Sequence, residues 1–195
     1  MVVILLEANG KEVMEMDVKH CMEMRRSIRR FEKKDVPQEL LSKLVEAASY
    51  APSWKNSQTV RYNAVYNHDS IQKIADEAVS GFEWNQKIIS AAPVLMVVTT
   101  IDKRSGYERD GSFSTSKGDH WQSFDAGLSV QNFCLAAHEH GLGTVILGLF
   151  DEAKVLEILD LPEGESISAL IPIGYPDEQP EMPRRKAVED LLRIY

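Results

Sequence analysis

The sequence predicts an α+β sandwich with one hydrophobic core. Its 195 residues are 44% hydrophobic and 27% charged, which is the size and composition of one folded domain. Segments with helical periodicity outnumber the short β-branched runs, and the two kinds alternate only in part along the chain. A regular βαβ winding requires strict alternation, so an α+β arrangement fits the pattern better.

The first sixteen residues form an N-terminal extension that resembles a β-hairpin. Apolar side chains at Ile4–Leu6 and at Val13 flank Asn9-Gly10, a pair suited to a tight turn with positive φ. Residues 17–195 are expected to form a single domain. It begins with a short helix that Asp17 caps and that runs up to a basic segment.

Three further elements follow before the middle of the chain. Pro37 suits the first turn of a second helix, whose apolar stripe covers residues 40–48 and which ends at residues 51–53. Apolar and aromatic side chains alternate over residues 60–66, which predicts a strand. A helix capped by Asp69 is expected next.

The middle of the chain contains the strongest strand and helix signals. Residues 93–100 form a short, β-branched apolar run, which is typical of a central strand buried on both faces. Residues 101–118 are rich in glycine, serine and charge, and we expect a loop that acts as a mobile lid. Residues 121–140 show the longest helical pattern, a central helix that Gly141 ends.

The last third predicts two strands, one helix and a tail. A short strand is expected over residues 144–147, followed by a helix that Asp151 caps. Residues 167–173 give one more strand. The tail from Pro176 carries three prolines and closes with an apolar segment over residues 188–194.

Charge and cysteine usage exclude several classes of function. The formal net charge of −8 disfavours binding to nucleic acid or to an anionic membrane. The apolar run at residues 2–6 is far shorter than the roughly 20 residues of a membrane helix, so a cytoplasmic protein is expected. Cys21 and Cys134 are too few for a disulfide framework, an iron–sulfur cluster or a cysteine-rich zinc site, so no metal is expected.

The common catalytic motifs are absent from the sequence. There is no G-x-x-x-x-G-K-[ST], H-E-x-x-H, G-x-S-x-G or C-x-x-C. Gly141-Leu142-Gly143 follows a predicted helix instead of a strand, so it is not a dinucleotide fingerprint. His138 and His140 lie two positions apart on one helix and face different ways, which makes them poor metal ligands.

Two segments carry side chains that could bind a ligand. Arg25, Arg26, Ser27 and Arg29 place three guanidinium groups and a hydroxyl at the end of a helix, a set that matches the oxygens of a compact anion such as phosphate. The alternative is a solvated basic turn, and this alternative is stronger for the later run at residues 184–186.

The second segment leaves a helix through a proline. It offers Ser53, Asn56 and Gln58, whose hydroxyl and amide groups can donate and accept hydrogen bonds to a heteroaromatic ring edge or a polyol. An ordinary turn that satisfies its own backbone is the alternative.

These segments, in their order, resemble the FMN-dependent nitroreductase family. The opening is similar in Arg-Arg-Ser-Ile-Arg-Arg-Phe at 25–31, Val36-Pro37, Leu40-Leu41, Ala-Pro-Ser at 51–53, Asn56 and Gln58. The later similar blocks are 125–127, 131–132, 135–137, 141–144, Gly148, 161–162 and 173–176. Thr59 and Val60 stand where the family commonly has proline and an aromatic residue.

The resemblance implies a homodimer of α/β/α sandwiches, each with a mixed, mostly antiparallel sheet around a central helix, and two FMN sites at the subunit interface. It implies that the phosphate is held by Arg25, Ser27, Arg29, Arg184 and Lys186, with Arg26 nearby. It implies that the ring is met from the other subunit by Pro52, Ser53 and Asn56, and Gln58 is expected to bind the cofactor as well. The stretch Ile146, Leu147 and Gly148 is similar to the family segment whose backbone approaches the ring.

The implied activity is hydride transfer from NADH or NADPH through flavin N5 to a nitroaromatic, quinone or flavin acceptor. The dinucleotide and the acceptor occupy the same place at the flavin, one after the other. No side chain is assigned as a catalytic acid or base. Reductive dehalogenation or flavin fragmentation on the same fold is one alternative, and a non-catalytic flavin-binding or anion-binding module is another. The choice between NADH and NADPH stays open.

Overall fold

An antiparallel sheet of four strands lies between two layers of helices in the computed structural model, which describes residues 4–6, 12–14, 18–79 and 81–195. In chain order the elements are β1 (Ile4–Leu6), β2 (Glu12–Met14), α1 (Val18–Met24), α2 (Gln38–Ser49), β3 (Val60–Val65), α3 (His68–Lys73, continued by a π-helical turn over Ile74–Ala78), α4 (Glu83–Ala91), β4 (Val94–Ile101), α5 (His120–Glu139), β5 (Gly143–Thr144), α6 (Glu152–Leu159), β6 (Glu165–Gly174) and α7 (Val188–Leu191). The strand order is β3-β4-β6-β5.

Both faces of the sheet are buried. On β4, Leu95 and Val97 face the layer that contains α3, α4 and α6, whereas Met96 and Val98 face α2 and α5. All four side chains are at most 1% exposed, and burying each contributes about 1.5–3 kcal/mol. The α/β/α sandwich and the central position of this strand are therefore confirmed.

One backbone bridge at the edge of the antiparallel sheet is parallel, so the sheet is mixed at that place. Its strands pair in the antiparallel sense, and Ser27 adds an isolated parallel bridge to Thr144 of β5. β1 and β2 also pair in the antiparallel sense, as a hairpin requires. The turn expected at Asn9-Gly10 and the cap expected at Asp17 lie outside the described residues.

The central helix α5 ends as its sequence predicts. Gly141 takes a φ of +74°, and its N–H donates to the carbonyl of His138 at 3.0 Å. The N–H of Leu142 donates to the carbonyl of Ala137 at 2.8 Å, so two carbonyls of the last turn are satisfied. The side chain of Leu142 is buried and fixes the direction in which the chain leaves.

Three expectations about element boundaries are wrong, and one helix was not predicted. The cap of α3 is Asn67, whose side chain accepts from the N–H of Ser70 at 2.8 Å, instead of Asp69. Pro37 precedes the first helical residue of α2 and has extended backbone. The strand expected over residues 144–147 stops at Thr144, and α4 was not predicted at all.

No helix in the described part of the chain is long and apolar enough to cross a membrane.

Candidate functional site

The basic segment after α1 is held against the sheet by its own backbone. The N–H of Ile28 donates to the carbonyl of Thr144 at 2.9 Å. A Cβ on Gly143 would lie 2.6 Å from the Ile28 side chain, so only glycine allows this close approach. The carboxylate of Glu178 accepts from the N–H groups of Arg29 and Arg30. The arginine side chains therefore project from a fixed backbone.

A cavity of ≈600 Å³ opens beside this segment, and Arg25 and Arg26 line it together with His138 and Thr144. The Nε of Arg25 is buried and has no hydrogen-bond partner. The guanidinium of Arg26 instead donates to the carbonyls of Glu23, at 2.6 Å, and Arg25, at 2.9 Å. Arg25 thus has a buried donor without a partner, whereas Nη1 of Arg26 is already occupied.

The charges of this cavity favour an anionic ligand, because Arg25 and Arg26 line it against one carboxylate, Glu178, which already accepts from two backbone N–H groups and pairs with Arg30. Burial lowers the pKa of the His138 imidazole below its ordinary value, and the charges of Arg25, His20 and Arg26 lower it further. The imidazole is therefore neutral at pH 7 beside two permanent cations. Arg29 adds a third guanidinium nearby, which donates to the carbonyl of Ser27 at 3.3 Å.

The proline-containing loop between α2 and β3 is anchored on a buried carboxylate. The N–H of Trp54 donates to both oxygens of Asp125 on α5, at 3.0 and 3.1 Å. The hydroxyl of Ser105 donates to the same carboxylate, and it lies 3.1 Å from the hydroxyl of Ser57. Asp125 is 2% exposed, so this network is shielded from water.

The loop presents its side chains from an unusual backbone. Lys55, Asn56 and Gln58 have φ of 47°, 54° and 48°, a region that non-glycine residues rarely adopt. Such conformations persist where the surroundings enforce them and are concentrated at functional sites. The loop's 3₁₀ turn, Trp54–Asn56, is closed by the N–H of Ser57 on the carbonyl of Trp54 at 2.8 Å.

The polar groups of this loop are accessible. Pro52, Asn56 and Gln58 are exposed, and Pro52, Ser53 and Gln58 line a small cavity of ≈160 Å³ beside Asp125. The Oγ of Ser53 accepts from the N–H of Gln58 at 3.0 Å, which leaves its own proton free to donate.

The segment after β5 has two backbone donors to offer. The N–H of Leu147 donates to the carbonyl of Leu170 at 2.8 Å and is therefore occupied. Within the described residues, the N–H groups of Ile146 and Gly148 have no backbone acceptor. Ile146 is half exposed, and nothing lies within 4 Å of a Cβ placed on Gly148, so a flat ligand could approach here.

Within one chain, the fold does not place Arg184 and Lys186 next to the arginines that follow α1. Residues 181–195 are all exposed, and in the described residues no ion pair or hydrogen bond ties these two side chains to the cavity. The same segment exposes large apolar side chains, namely Met182, Val188, Leu191, Leu192, Ile194 and Tyr195.

The two ligand-competent regions lie at opposite ends of α5. The loop is bound to Asp125 in the second turn, whereas Arg25 lies beside His138 in the last turn. Thirteen residues at about 1.5 Å per residue place these positions about 20 Å apart. One chain therefore holds its basic cavity and its polar loop on separate sides of the molecule.

Comparison with known proteins identifies the family. A model described as the nitroreductase family matches residues 22–175. The chain belongs to the nitroreductase family. It is similar to the iodotyrosine dehalogenase 1 homolog of Caenorhabditis elegans, with 30% identity over 89% of this chain and 60% of that protein. It is also similar to the NADH dehydrogenase of Thermus thermophilus, with 28% identity over 84% of this chain and 89% of that protein.

A solved nitroreductase-like structure has the same fold. Oxidised iodotyrosine deiodinase bound to FMN and 3-iodo-L-tyrosine superimposes with a TM-score of 0.73 at 23% identity, covering 87% of this chain and 95% of that one. The family match includes the basic segment, the polar loop and Gly148, and it ends before Arg184 and Lys186.

Three supporting residues of the site were not assigned from the sequence. Asp125 and Ser105 hold the loop, and Glu178 holds the basic segment. A signal for Asp125 was present, because it begins the buried stripe of α5 that continues through Ser129 and Phe133 at intervals of four residues. A carboxylate on such a stripe requires buried hydrogen-bond donors.

No group of three or more His, Cys, Asp or Glu side chains that could hold a metal ion occurs in the part of the chain that the structure describes.

Proposed function

We propose that this protein is an FMN-dependent oxidoreductase that takes hydride from NADH or NADPH and passes it to a flat, electron-poor acceptor such as a nitroaromatic, a quinone or a flavin. Membership in the nitroreductase family supports the reaction class. The single observation that carries the cofactor is the buried, unpartnered Nε of Arg25 in a cationic cavity. A loop of exposed amides with positive φ supports it.

The residues present fit FMN. The donors of Arg25, Ser27 and Arg29 would hold the phosphate, joined by Arg184 and Lys186 from the C-terminal segment. Ser53, Asn56 and Gln58 would meet the polar edge of the ring beside Pro52, and the backbone of residues 146–148 would approach the ring. When bound, FMN supplies the atom that accepts and releases hydride.

The protein's own groups bind and orient in this reaction. The amides of Asn56 and Gln58 would favour negative charge at the ring edge without transferring a proton. Beside the loop, burial raises the pKa of the Tyr62 phenol to about 12, while its hydrogen bond to Ser129 partly opposes the shift. That hydroxyl stays protonated at neutral pH. No side chain is therefore assigned as a general acid or base.

A homodimer would complete the site. Along α5, the exposed or half-exposed positions Phe124, Gly127, Leu128, Gln131 and Leu135 recur at helical spacing and form one face. If two copies pack these faces antiparallel about a two-fold axis, the basic end of each helix meets the loop end of its partner. The exposed apolar C-terminal segment would add to this interface.

Reductive dehalogenation is the second candidate, because the dehalogenase homolog of Caenorhabditis elegans is 30% identical to this chain. In that reaction the acceptor is a halogenated aromatic.

The cytoplasmic location expected from the sequence stays a prediction.

The test is the spectrum and turnover of the purified protein. Flavin absorbance with close to one FMN per chain after equilibrium dialysis, and oxidation of NADH or NADPH that depends on an added quinone or nitroaromatic, are the expected results. Turnover only with a halogenated aromatic would favour the second candidate. FMN binding without any turnover would indicate a binding module, and absence of FMN binding at micromolar concentration would refute the proposal.

A further inference from the structure

A second cationic surface lies on the other side of the polar loop. A cavity of ≈810 Å³ opens between this loop, the start of β3 and the segment that follows β4. We name it the basic groove, and its lining includes Trp54, Thr59, Arg61, Lys103, Arg104 and Arg109. It is separate from the cavity that contains Arg25.

Two hydrogen-bonding groups in the basic groove are buried without a partner. The Oγ1 of Thr59 is buried in a residue that is 1% exposed, and the indole Nε1 of Trp54 is buried beside it in the lining. An indole N–H can only donate, and a hydroxyl can donate as well. Buried polar groups are rarely left unsatisfied, so an acceptor from water or from a ligand would be favourable beside these two groups.

The groove has an excess of positive charge in an acidic protein. Five cationic side chains line it, namely Lys55, Arg61, Lys103, Arg104 and Arg109, against the two carboxylates of Asp102 and Glu108. Those carboxylates already accept hydrogen bonds, Glu108 from Lys55 and Ser114 and Asp102 from Ser166 and Gln122. Of the five cations, only Lys55 has an ion-pair partner among the described residues.

We propose that the basic groove binds the adenosine 2′-phosphate end of NADPH and makes this protein prefer NADPH to NADH. A phosphate dianion matches the guanidinium groups of Arg104 and Arg109, which have no hydrogen-bond or ion-pair partner among the described residues, whereas Nη1 of Arg61 already donates to the carbonyls of Gln58 and Val60. The volume is that of a pocket for a drug-sized ligand and exceeds the needs of a free phosphate. Trp54 and Tyr107 also line the groove; their rings pack against Trp121 and Phe113 at a centroid distance of 4.8 Å in both pairs, and adenine would stack on the face of Tyr107 that Phe113 leaves open.

The position of the basic groove would let one dinucleotide contact both the groove and the flavin ring. The groove and the proposed ring contact share one loop, since Trp54 lines the groove while Asn56 and Gln58 lie two and four residues further along the chain. A dinucleotide could therefore place its nicotinamide at the ring and its adenosine in the groove. This inference rests on the proposed function.

The direct test is calorimetric titration of the FMN-loaded protein with adenosine 2′,5′-bisphosphate, adenosine 5′-monophosphate and inorganic phosphate. We expect the bisphosphate to bind at least about tenfold more tightly than the monophosphate, with the difference shrinking as ionic strength rises. In the double variant Arg104→Gln/Arg109→Gln this difference should fall below about threefold. The control Lys43→Gln/Lys73→Gln removes two exposed cations outside the groove and should preserve it.

Steady-state kinetics supply the second measurement. The ratio of kcat/KM for NADPH to that for NADH should be at least about ten in the wild type and in the control, and it should fall towards one in the groove variant.

The inference would be overturned if the bisphosphate and the monophosphate bound equally tightly. It would also be overturned if both double variants lost the affinity difference between these two ligands to the same extent. Inorganic phosphate competing as strongly as the bisphosphate would overturn it too, because the site would then bind any small anion. Turnover with NADH and no phosphate discrimination would refute the groove and leave the proposed function standing. Absence of turnover with either dinucleotide would count against the function, and the calorimetry would still decide the inference.

Discussion

The two ends of α5 are built in opposite ways. At the loop end, Asp125 accepts from the Trp54 N–H and the Ser105 hydroxyl, so the hydrogen bonds that hold the loop are already formed. At the basic end, Arg25 keeps a buried donor without a partner and His138 is neutral beside it. The comparison predicts two tasks: the loop end would give the site its shape before any ligand binds, and the basic end would bind an anion.

The largest expected effect is at the loop end. Asp125→Ala leaves the N–H of Trp54 without its acceptor, at about 1–3 kcal/mol, and leaves the hydroxyl of Ser105 with only the hydroxyl of Ser57 at 3.1 Å. We expect the free energy of unfolding to fall by about 1–4 kcal/mol in urea denaturation of FMN-free protein, and FMN to bind more weakly because the loop is released.

Two variants sharpen this result. Asp125→Asn keeps one carbonyl oxygen for the Trp54 N–H and should lose only about half as much stability. Asp119→Ala removes a carboxylate that caps no helix with its side chain, and it should change the unfolding free energy by less than about 0.5 kcal/mol. An Asp125→Ala protein as stable as the wild type would show that the network does not hold the loop.

At the basic end, two adjacent arginines should differ. Arg25→Ala should weaken FMN by about ten-fold to a hundred-fold, because a charged hydrogen bond to phosphate is lost. Arg26→Ala should weaken it by about threefold or less, since that guanidinium already donates to two backbone carbonyls. Fluorescence titration with FMN and with riboflavin measures both. Equal losses for the two flavins, or for the two arginines, would contradict the assignment of phosphate binding to Arg25.

The smallest expected effect is a pH dependence at the basic end. Because the pKa of His138 is lowered in the folded state, the unfolded chain takes up a proton first as the pH falls below about 6.5. Folding stability should therefore fall between pH 7 and the lowered pKa, and the His138→Gln variant should lose less over this range. Unfolding free energies of FMN-free protein at pH 7.5 and 5.5 test this. The same loss in both proteins would show that His138 contributes nothing to acid sensitivity.

Local chemistry made most elements predictable. β4 was recognisable from its apolar run, the end of α5 from Gly141, and the cap of α6 from Asp151, whose side chain accepts from the N–H of Lys154 at 3.2 Å. α4 was missed because its first five residues, Glu83–Lys87, include only one apolar side chain and its buried Ile88 and Ile89 come near its end. Asn67 and Asp69 are both good caps, and only the backbone decides between them.

The residues that would donate hydrogen bonds to a ligand could be predicted from the sequence. The residues that hold them in place could not. The arginines and the loop amides stand out by residue type, whereas Asp125 and Trp54 are 71 residues apart in sequence and are joined only by folding. Glu178 is likewise 149 residues from Arg29. The roles of Arg184 and Lys186 stay predictions, because their segment is exposed along its whole length and these two side chains do not line the cavity that contains Arg25.

The most direct test of the shared site uses an isolated mixed dimer. One chain carries Arg25→Ala and the other Asn56→Gly, where glycine accepts the positive φ of residue 56. If each site joins the basic end of one chain to the loop end of the other, both lesions fall in one site and the second site is intact. The mixed dimer should then bind one FMN as tightly as the wild type and keep half of its NADPH or NADH oxidation, whereas each parent homodimer is weakened at both sites. Two equally weakened sites, with turnover far below half, would show that each site lies within a single chain and would contradict the account.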